Sequence, residues 1–457
     1  GSFLRKNFSP RSWEWIDEKH FVCRERSLAT DNERLISREV VTHTDKGVIV
    51  DQFYAERLYT EKELEMLTDK VGFREIKFHG NIEVDSMRNQ DLGMMANRFI
   101  LTATATRESA PKKNKKSTRN VVVVMGDPNL ADTVKPDAIF DTDDFETIDR
   151  LKKALNKLEN YRFSYIDNHN TIITDLQKIK GKTDLVFNLC DEGFGNHAQK
   201  ELHVPALLEI MDFPYTGSNP QTLAYCYDKS LIRGIATEIG VPVADASVIT
   251  AEENLYKLNI PFPVIAKPNF GDSSFGITQK NVAYTIEELA DAILGIKEQF
   301  GYNKPVLIEE FLTGAEVSVG VIGNLGNYTI LPVIEEDYSE LPEGLPKICG
   351  YEAKWLTDSP YMQKLKSVKA NLSLPVEREL INHSLKLFQR LDCKDYCRFD
   401  WRLNRSQEPK LLEVNPNPGW CWDGHMAEMS SIGGRDYSTM LEAILSAAEL
   451  RHSGQKK

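Results

Sequence analysis

Arg398, Asp400, Glu413 and Asn415 are the residues whose types and spacing best suit chemistry. They lie in two short runs, 397–403 and 410–415, flanking the polar, Pro-broken segment 404–409, a pattern that predicts a β-hairpin. Side chains two apart on a strand share a face, so Arg398 goes with Asp400 and Glu413 with Asn415. If the strands are neighbours, one surface carries two carboxylates, an amide oxygen and a guanidinium. Oxygen donors of this kind suit Mg2+, which keeps several waters and binds substrate phosphates as well. Taken singly, each side chain is an ordinary solvated polar group. The apolar Leu411 and Leu412 just before Glu413, and the rigid Pro416-Asn417-Pro418-Gly419 just after Asn415, set the group apart.

Further candidates lie upstream. Lys267 follows a buried-looking apolar run and precedes a polar loop bounded by Gly271 and Gly276. Lys is rarely buried without a partner. A lysine held there contacts phosphates, with Ser273, Ser274 and backbone N–H groups closing over them. By itself such a loop is an ordinary hairpin turn about as often. In VLIEEFL, an apolar strand presents main-chain groups of Glu310 and Leu312 to a flat ring, and Glu316 is near enough for ribose hydroxyls. Glu309 and Glu316 alone read as surface carboxylates, and Lys354 in YEAKW has little local context.

The elements that must position these groups divide the chain of 457 residues into several domains. Its 41% hydrophobic and 27% charged content is that of a globular protein. A net charge of -12 argues against a general nucleic-acid or anionic-membrane binder. No apolar run reaches the length of a bilayer span. The seven cysteines show no paired CxxC spacing, so a reduced, cytoplasmic protein is expected.

Residues 3–106 read as strands followed by a helix opened by a capping box, Thr60 to Glu63, with Leu64, Leu67 and Val71 as its buried stripe. FREIKF and NRFILTATA close this unit as two strands. Residues 107–120 are a polar, basic linker. From 121 to 241 an alternation of strand (121–125), helix (145–158), strand (162–166), helix and strand (184–189) predicts a small doubly wound βαβ domain. Glu192 lies just past its last strand, where open α/β sheets bind ligands. From Pro242 the pattern becomes α+β, with capping boxes at Thr250 to Glu253 and Thr285 to Glu288. A strand, a loop and a second strand are expected over 263–278.

FPYTGSNPQTLAYCYDKSLIR, PVIAKPNFGDSSFGIT, VLIEEFLTGAEVSV, YEAKW, CRFDWRL and KLLEVNPNPG occur in the order and at roughly the spacing of the ATP-grasp superfamily. They look most like its D-alanine:D-alanine ligase branch, over about residues 119–450. The resemblance implies a small doubly wound N-domain followed by two α+β subdomains, 242–312 and 313–450, that clasp ATP. It implies that Lys229 and Lys267 contact ATP phosphates, with Ser274 on the γ-phosphate lid. Glu310 and Leu312, beside Glu309, would hold adenine, and Glu316 the ribose. Lys354 would reach the transferred phosphate. Asp400, Glu413 and Asn415 would bind two Mg2+ ions, and Arg398 would stabilise the oxyanion. The implied chemistry phosphorylates a small-molecule carboxylate, then lets an amine displace phosphate from the acylphosphate. A homodimer fits this resemblance; nucleic acid and membrane are not expected as partners.

The match departs from the ligase branch at its substrate end. After 121–125 the chain reads GDPNLADTVKPD rather than a glycine-rich, Glu-containing motif. Trp355 replaces the tyrosine that follows the YEAK lysine, and Gly424 stands where the serine for the second substrate's carboxylate falls. Trp420, Trp422, Asp423 and His425 surround that position and are expected, with Glu192, to meet substrate; at least one indole should line the pocket. Two D-alanines are therefore not the expected pair.

Residues 3–106 resemble the C-terminal part of a class I S-adenosylmethionine-dependent methyltransferase, through WEWIDEKHFVCRERSL and NRFILTATA. The family's glycine-rich cofactor loop is not in this stretch. Either a methyltransferase core belongs to a longer bifunctional protein, or the piece supports the next domain. An alternative to a ligase is thus a nucleotide-binding regulatory or scaffolding partner of a methyltransferase. Retention of Arg398, Asp400, Glu413 and Asn415 together weighs against it.

Overall fold

A computed structural model describes residues 2–6, 8–81, 99–105, 118–135, 137–250, 259–271 and 274–454. The chain forms two compact units, Gly1–Lys116 and Ser117–Lys457. Ser273, the capping box expected at Thr250 to Glu253 and most of the 107–120 linker lie outside the described residues. Among those described, no helix is long and apolar enough to cross a membrane.

In the first unit, β1 (Arg11–Trp15), β2 (His20–Leu28), β3 (Arg34–His43) and β4 (Gly47–Arg57) form an antiparallel sheet in chain order. β5 (Phe73–Asn81) and β6 (Phe99–Ala105) pair separately. The helix Glu61–Lys70 starts at a full capping box between Thr60 and Glu63. Its expected buried stripe is not buried: none of the helix's residues is, and Leu67 and Val71 are exposed. A capping box needs only local residues, whereas burial needs a covering element that periodicity does not reveal.

The second unit begins with a parallel sheet of order β8-β7-β9, from β7 (Arg119–Val124), β8 (Tyr161–Ile166) and β9 (Leu185–Asn188). Parallel strands need crossovers, supplied by helices Thr142–Leu155 and Ile172–Ile179. Val121 and Val123 face one core with Leu151 and Leu155, while Val122 and Val124 face another with Ile172 and Leu176. This two-sided burial is why the run is continuously apolar. The first helix begins three residues before the expected Phe145, because Asp141 caps it by accepting from the N–H groups of Asp143 and Asp144.

The next sheet has the order β10-β13-β11-β12, from β10 (Ala246–Ile249), β11 (Val264–Pro268), β12 (Val282–Ala283) and β13 (Val306–Glu310). Helix Ile286–Phe300 buries Leu289, Ala292, Ile293 and Ile296 against it. The second strand expected before Thr278 does not form. Ser274 (φ 57°) and Gly276 (φ 77°) are left-handed there, and the chain coils back with Ile277 N–H donating to Ser274 O at 2.9 Å.

The largest sheet runs β17-β16-β14-β18-β19, with β15 (Asn327–Ile330) also on β14. Its strands are β14 (Glu316–Asn324), β16 (Ile334–Asp337), β17 (Lys366–Lys369), β18 (Tyr396–Leu403) and β19 (Pro409–Asn415). Val317, Val319, Val321, Phe399, Trp401 and Leu411 bury one face in a core shared with helix Leu374–Arg390. The residues between them, Glu316, Ser318, Arg398, Asp400 and Arg402, line a cleft on the other face, as a period of two requires. Beyond them on that face packs helix His425–Ile432, which Gly320 admits: a Cβ there would lie 2.8 Å from Met429 Sδ.

Candidate active site

The hairpin forms as its pattern implied. Arg398 is opposite Asn415, and Asp400 is opposite Glu413. A register shift between Asp400 and Trp401 makes a bulge, after which Trp401 pairs with Leu411. The bulge places adjacent Leu412 and Glu413 both on the cleft. Arg398 grips Asp400 with two charge-assisted bonds of 2.8 Å, and Ser318 Oγ donates to the same carboxylate at 2.6 Å. Asn415 Nδ2 donates to Asp400 Oδ2 at 2.8 Å. Burial works against ionisation of Asp400, but the Arg398 guanidinium outweighs it and holds the carboxyl far below the usual range.

Across the cleft, Lys229 opens helix Lys229–Glu238, whose N-cap Asp228 accepts from Leu231 N–H. Its Nζ donates to Gly271 O at 2.7 Å and to Glu413 Oε2 at 3.2 Å. Burial pushes the Glu413 carboxyl up, yet Lys229, Lys354 and Arg398 pull it below its ordinary value against the repulsion of Asp400. Lys267, on β11, donates to Glu309 Oε2 at 2.6 Å, and Arg233 donates to Glu309 Oε1 at 2.5 Å. Glu309 is 2% exposed. Burial opposes its charge, but Lys267 and Arg233 keep it ionised and lower its pKa. Glu309 therefore holds Lys267 in place rather than facing solvent.

The cleft combines these charged groups with apolar surface, as small-ligand sites do. Ile265, Phe311, Leu312 and Ile348 give it apolar walls. Glu310 donates its N–H to Asp245 O at 2.9 Å. Glu316 accepts from Tyr338 Oη at 2.7 Å and from Arg402 at 3.0 Å. Burial raises its pKa, and Arg402 only partly offsets this.

Lys354 sits on the short helix Tyr351–Trp355 and lines the cleft. This helix is tied to the coil at 274–277: Ser274 Oγ donates to Cys349 O at 3.2 Å, and Tyr351 N–H to Ile277 O at 2.7 Å.

At the substrate end the placements differ from expectation. His425 lines the cleft, its Nε2 3.1 Å from Glu336 Oε1. Neither indole does, among the described residues. Trp420 is 6% exposed, anchored by Nε1–H bonds to Leu189 O (2.8 Å) and Asp191 Oδ1 (2.9 Å) and packed into the core. Trp422 lies under Arg150, whose guanidinium carbon is 3.9 Å from the ring centroid. Asp423 is exposed, and Gly424 caps helix His425–Ile432. Glu192 folds over Gly126, where a Cβ would lie 2.5 Å from its carboxyl carbon. Burial and neighbouring Asp191 raise its pKa well above the usual carboxylate range.

Sequence reasoning missed Ser318, Arg402, Arg233, Tyr338 and Glu336. Ser318 and Arg402 carried a signal, being two residues from Glu316 and Asp400 on the same strand faces. Glu336 carried none.

Residues 235–446 match a family model described as D-ala D-ala ligase C-terminus. A D-alanine--D-alanine ligase of Halalkalibacterium halodurans is 31% identical over 284 residues, which is 61% of this chain and 86% of that relative. A D-alanine--D-alanine ligase from Bacillus anthracis complexed with ATP matches with a TM-score of 0.55 at 20% identity, over 74% of this chain and 100% of that one. The VanG D-Ala:D-Ser ligase from Enterococcus faecalis gives 0.54 at 19% identity, over 72% and 99%. The two structures share the mixed α/β, ATP-grasp fold. With the cleft's geometry and the relative's identity and coverage, the chain belongs to the D-alanine--D-alanine ligase family and is an ATP-dependent ligase joining a carboxylate to an amine.

Proposed function

We propose that the chain makes an amide between a small-molecule carboxylate and an amine through an acylphosphate, with substrates other than two D-alanines. The observation that carries this is the shared face of Arg398, Asp400, Glu413 and Asn415, opposed across one cleft by Lys229 and Lys267. In the first step the γ-phosphoryl group passes from ATP to a carboxylate oxygen, releasing ADP. In the second, the amine nitrogen bonds the carbonyl carbon and the carbon–oxygen bond to phosphate breaks, releasing phosphate.

Each residue has a part in this reading. Lys229 and Lys267 hold the phosphates as point charges, and Glu309 fixes where Lys267 points. Lys354 meets the transferred group, and Ser274 closes beside it. Arg398, already oriented by Asp400, donates to the oxyanion that develops at the carbonyl. Asp400, Glu413 and Asn415 form an all-oxygen donor set that fits Mg2+ once the Asn415 amide turns its oxygen inward. Among the described residues no group of three or more His, Cys, Asp or Glu side chains converges as a metal site. That suits an ion whose remaining ligands are phosphate oxygens and water. Bound there, Mg2+ would neutralise the charge that builds on the phosphates.

Support for a substrate other than D-alanine comes from the far end of the cleft, where Gly424 lacks the hydroxyl that the family places there and neighbouring His425 pairs with Glu336 on the cleft wall. A panel of carboxylates and amines assayed for amine-dependent ADP release tests the reading. ATP binding with no ADP release for any pair would favour the regulatory alternative instead. For residues 3–106 we infer a methyltransferase-like support unit. Calorimetry with S-adenosylmethionine should show no micromolar binding, since the described part of that unit offers antiparallel strands and no glycine-rich loop after a parallel strand.

A further inference from the structure

Arg402 lies in the same cleft but takes no part in the scheme above. It is 4% exposed, and all three of its guanidinium nitrogens are engaged. Nε donates to Gly314 O at 3.3 Å, one terminal nitrogen to Lys347 O, and the other to Glu316 Oε2 at 3.0 Å. Its guanidinium carbon lies over two aromatic rings, 5.2 Å from the Phe311 centroid and 5.9 Å from the Tyr338 centroid. Tyr338 Oη donates to that same Oε2 at 2.7 Å. Arg402 and Glu316 are direct cross-strand partners on β18 and β14.

Two donors on one oxygen pin the carboxylate through Oε2 and leave Oε1 to a ligand in the cleft. A buried ion pair is weak evidence for stability, because a well-packed apolar pair of similar volume often does as well. The arrangement has a different use here: the planar guanidinium, held at every nitrogen, gives Glu316 one orientation at the cleft wall.

We propose that Arg402 is a positioning residue for the nucleotide: with Tyr338 it fixes Glu316 at the ribose, and so sets the preference for a 2′-hydroxyl. The inference rests on the reading that Glu316 accepts from the ribose. A carboxylate free to rotate would lose entropy on binding and would meet the two hydroxyls in fewer of its rotamers. A site built to hydrogen-bond a hydroxyl rejects a ligand that lacks it.

The test is calorimetric titration of the whole chain with ATP and with 2′-deoxy-ATP, each with Mg2+. The wild type should prefer ATP by roughly tenfold. Arg402→Met should weaken ATP by about tenfold and 2′-deoxy-ATP by less than about threefold, collapsing the preference. Tyr338→Phe, which removes one donor and keeps the packing, should lower the preference in the same direction, and it serves if Arg402→Met fails to fold. Glu316→Gln should also lose it. If Glu316→Gln loses the preference while Arg402→Met and Tyr338→Phe keep it, the ribose reading stands and the inference about Arg402 is overturned. If Glu316→Gln keeps it, the ribose reading falls and takes the inference with it.

Discussion

Lys229 Nζ stands 3.2 Å from Glu413 Oε2, although 184 positions separate the two residues in the chain. The contact joins the first turn of helix Lys229–Glu238 to the end of β19. It brings a phosphate-binding lysine and a metal-binding carboxylate, as proposed, within one hydrogen bond of each other.

Glu413→Gln should leave the fold intact, since the amide has the shape of the carboxylate and can accept from Lys229. It cannot balance the charge of Mg2+, so kcat for ADP release should fall by about a hundredfold or more. Kinetics beside a thermal melt checks this. Near-normal Mg2+-dependent turnover would refute the metal assignment.

Glu309 gives a prediction about pH. Its folded pKa is lowered, below an ordinary value of 4.5, so the unfolded chain binds more protons in acid. The stability it contributes is present above about pH 4.5 and is lost as pH falls through the folded value. Glu309→Gln leaves Lys267 and Arg233 without their buried counter-charge, at a cost of about 3–5 kcal/mol at pH 7. Urea midpoints should show the gap between variant and wild type narrowing from pH 5 downward. A gap unchanged from pH 7 to pH 3 would exclude an ionised Glu309.

Gly276→Ala probes the coil beside Lys354. Gly276 has φ of 77°, and a Cβ there would collide with the Phe300 ring. The strained backbone and the clash should cost about 1–3 kcal/mol and displace Ser274 from Cys349. ATP affinity should fall several-fold more than the loss of folded protein explains, which paired melting and titration curves separate.

D-alanine as the only amino acid should release ADP at no more than about a tenth of the rate seen with a larger polar or basic acceptor. Efficient D-alanyl-D-alanine synthesis would sink the specificity reading.

What the sequence disclosed follows from physical range. Arg398 with Asp400 and Glu413 with Asn415 are two apart on strands, and period-two geometry needs no tertiary knowledge. The buried run at 121–125 and its crossover helices were legible for the same reason. The partnership of Lys267, Arg233 and Glu309 was not, because it depends on β11, β13 and a helix meeting in space. The tryptophans misled because an indole suits a pocket wall and a core equally well, and Leu189 O and Asp191 decide for Trp420. The strand expected before Thr278 failed because Ser274 adopts a left-handed conformation that its residue type does not announce.

The bulge between Asp400 and Trp401 lets Leu411 and Glu413, two apart on β19, face opposite sides of the sheet. With the bulge, Leu411 stays in the core while Glu413 stays on the cleft. Closing the bulge at this strand length would put both on one face and force a choice, sending either the core leucine outward or the carboxylate inward. Natural length variation in this hairpin should therefore collect in its turn, Asn404 to Glu408, where Asn404 and Glu408 already close the loop with backbone bonds of their own. A reading frame, in effect, is written into the strand.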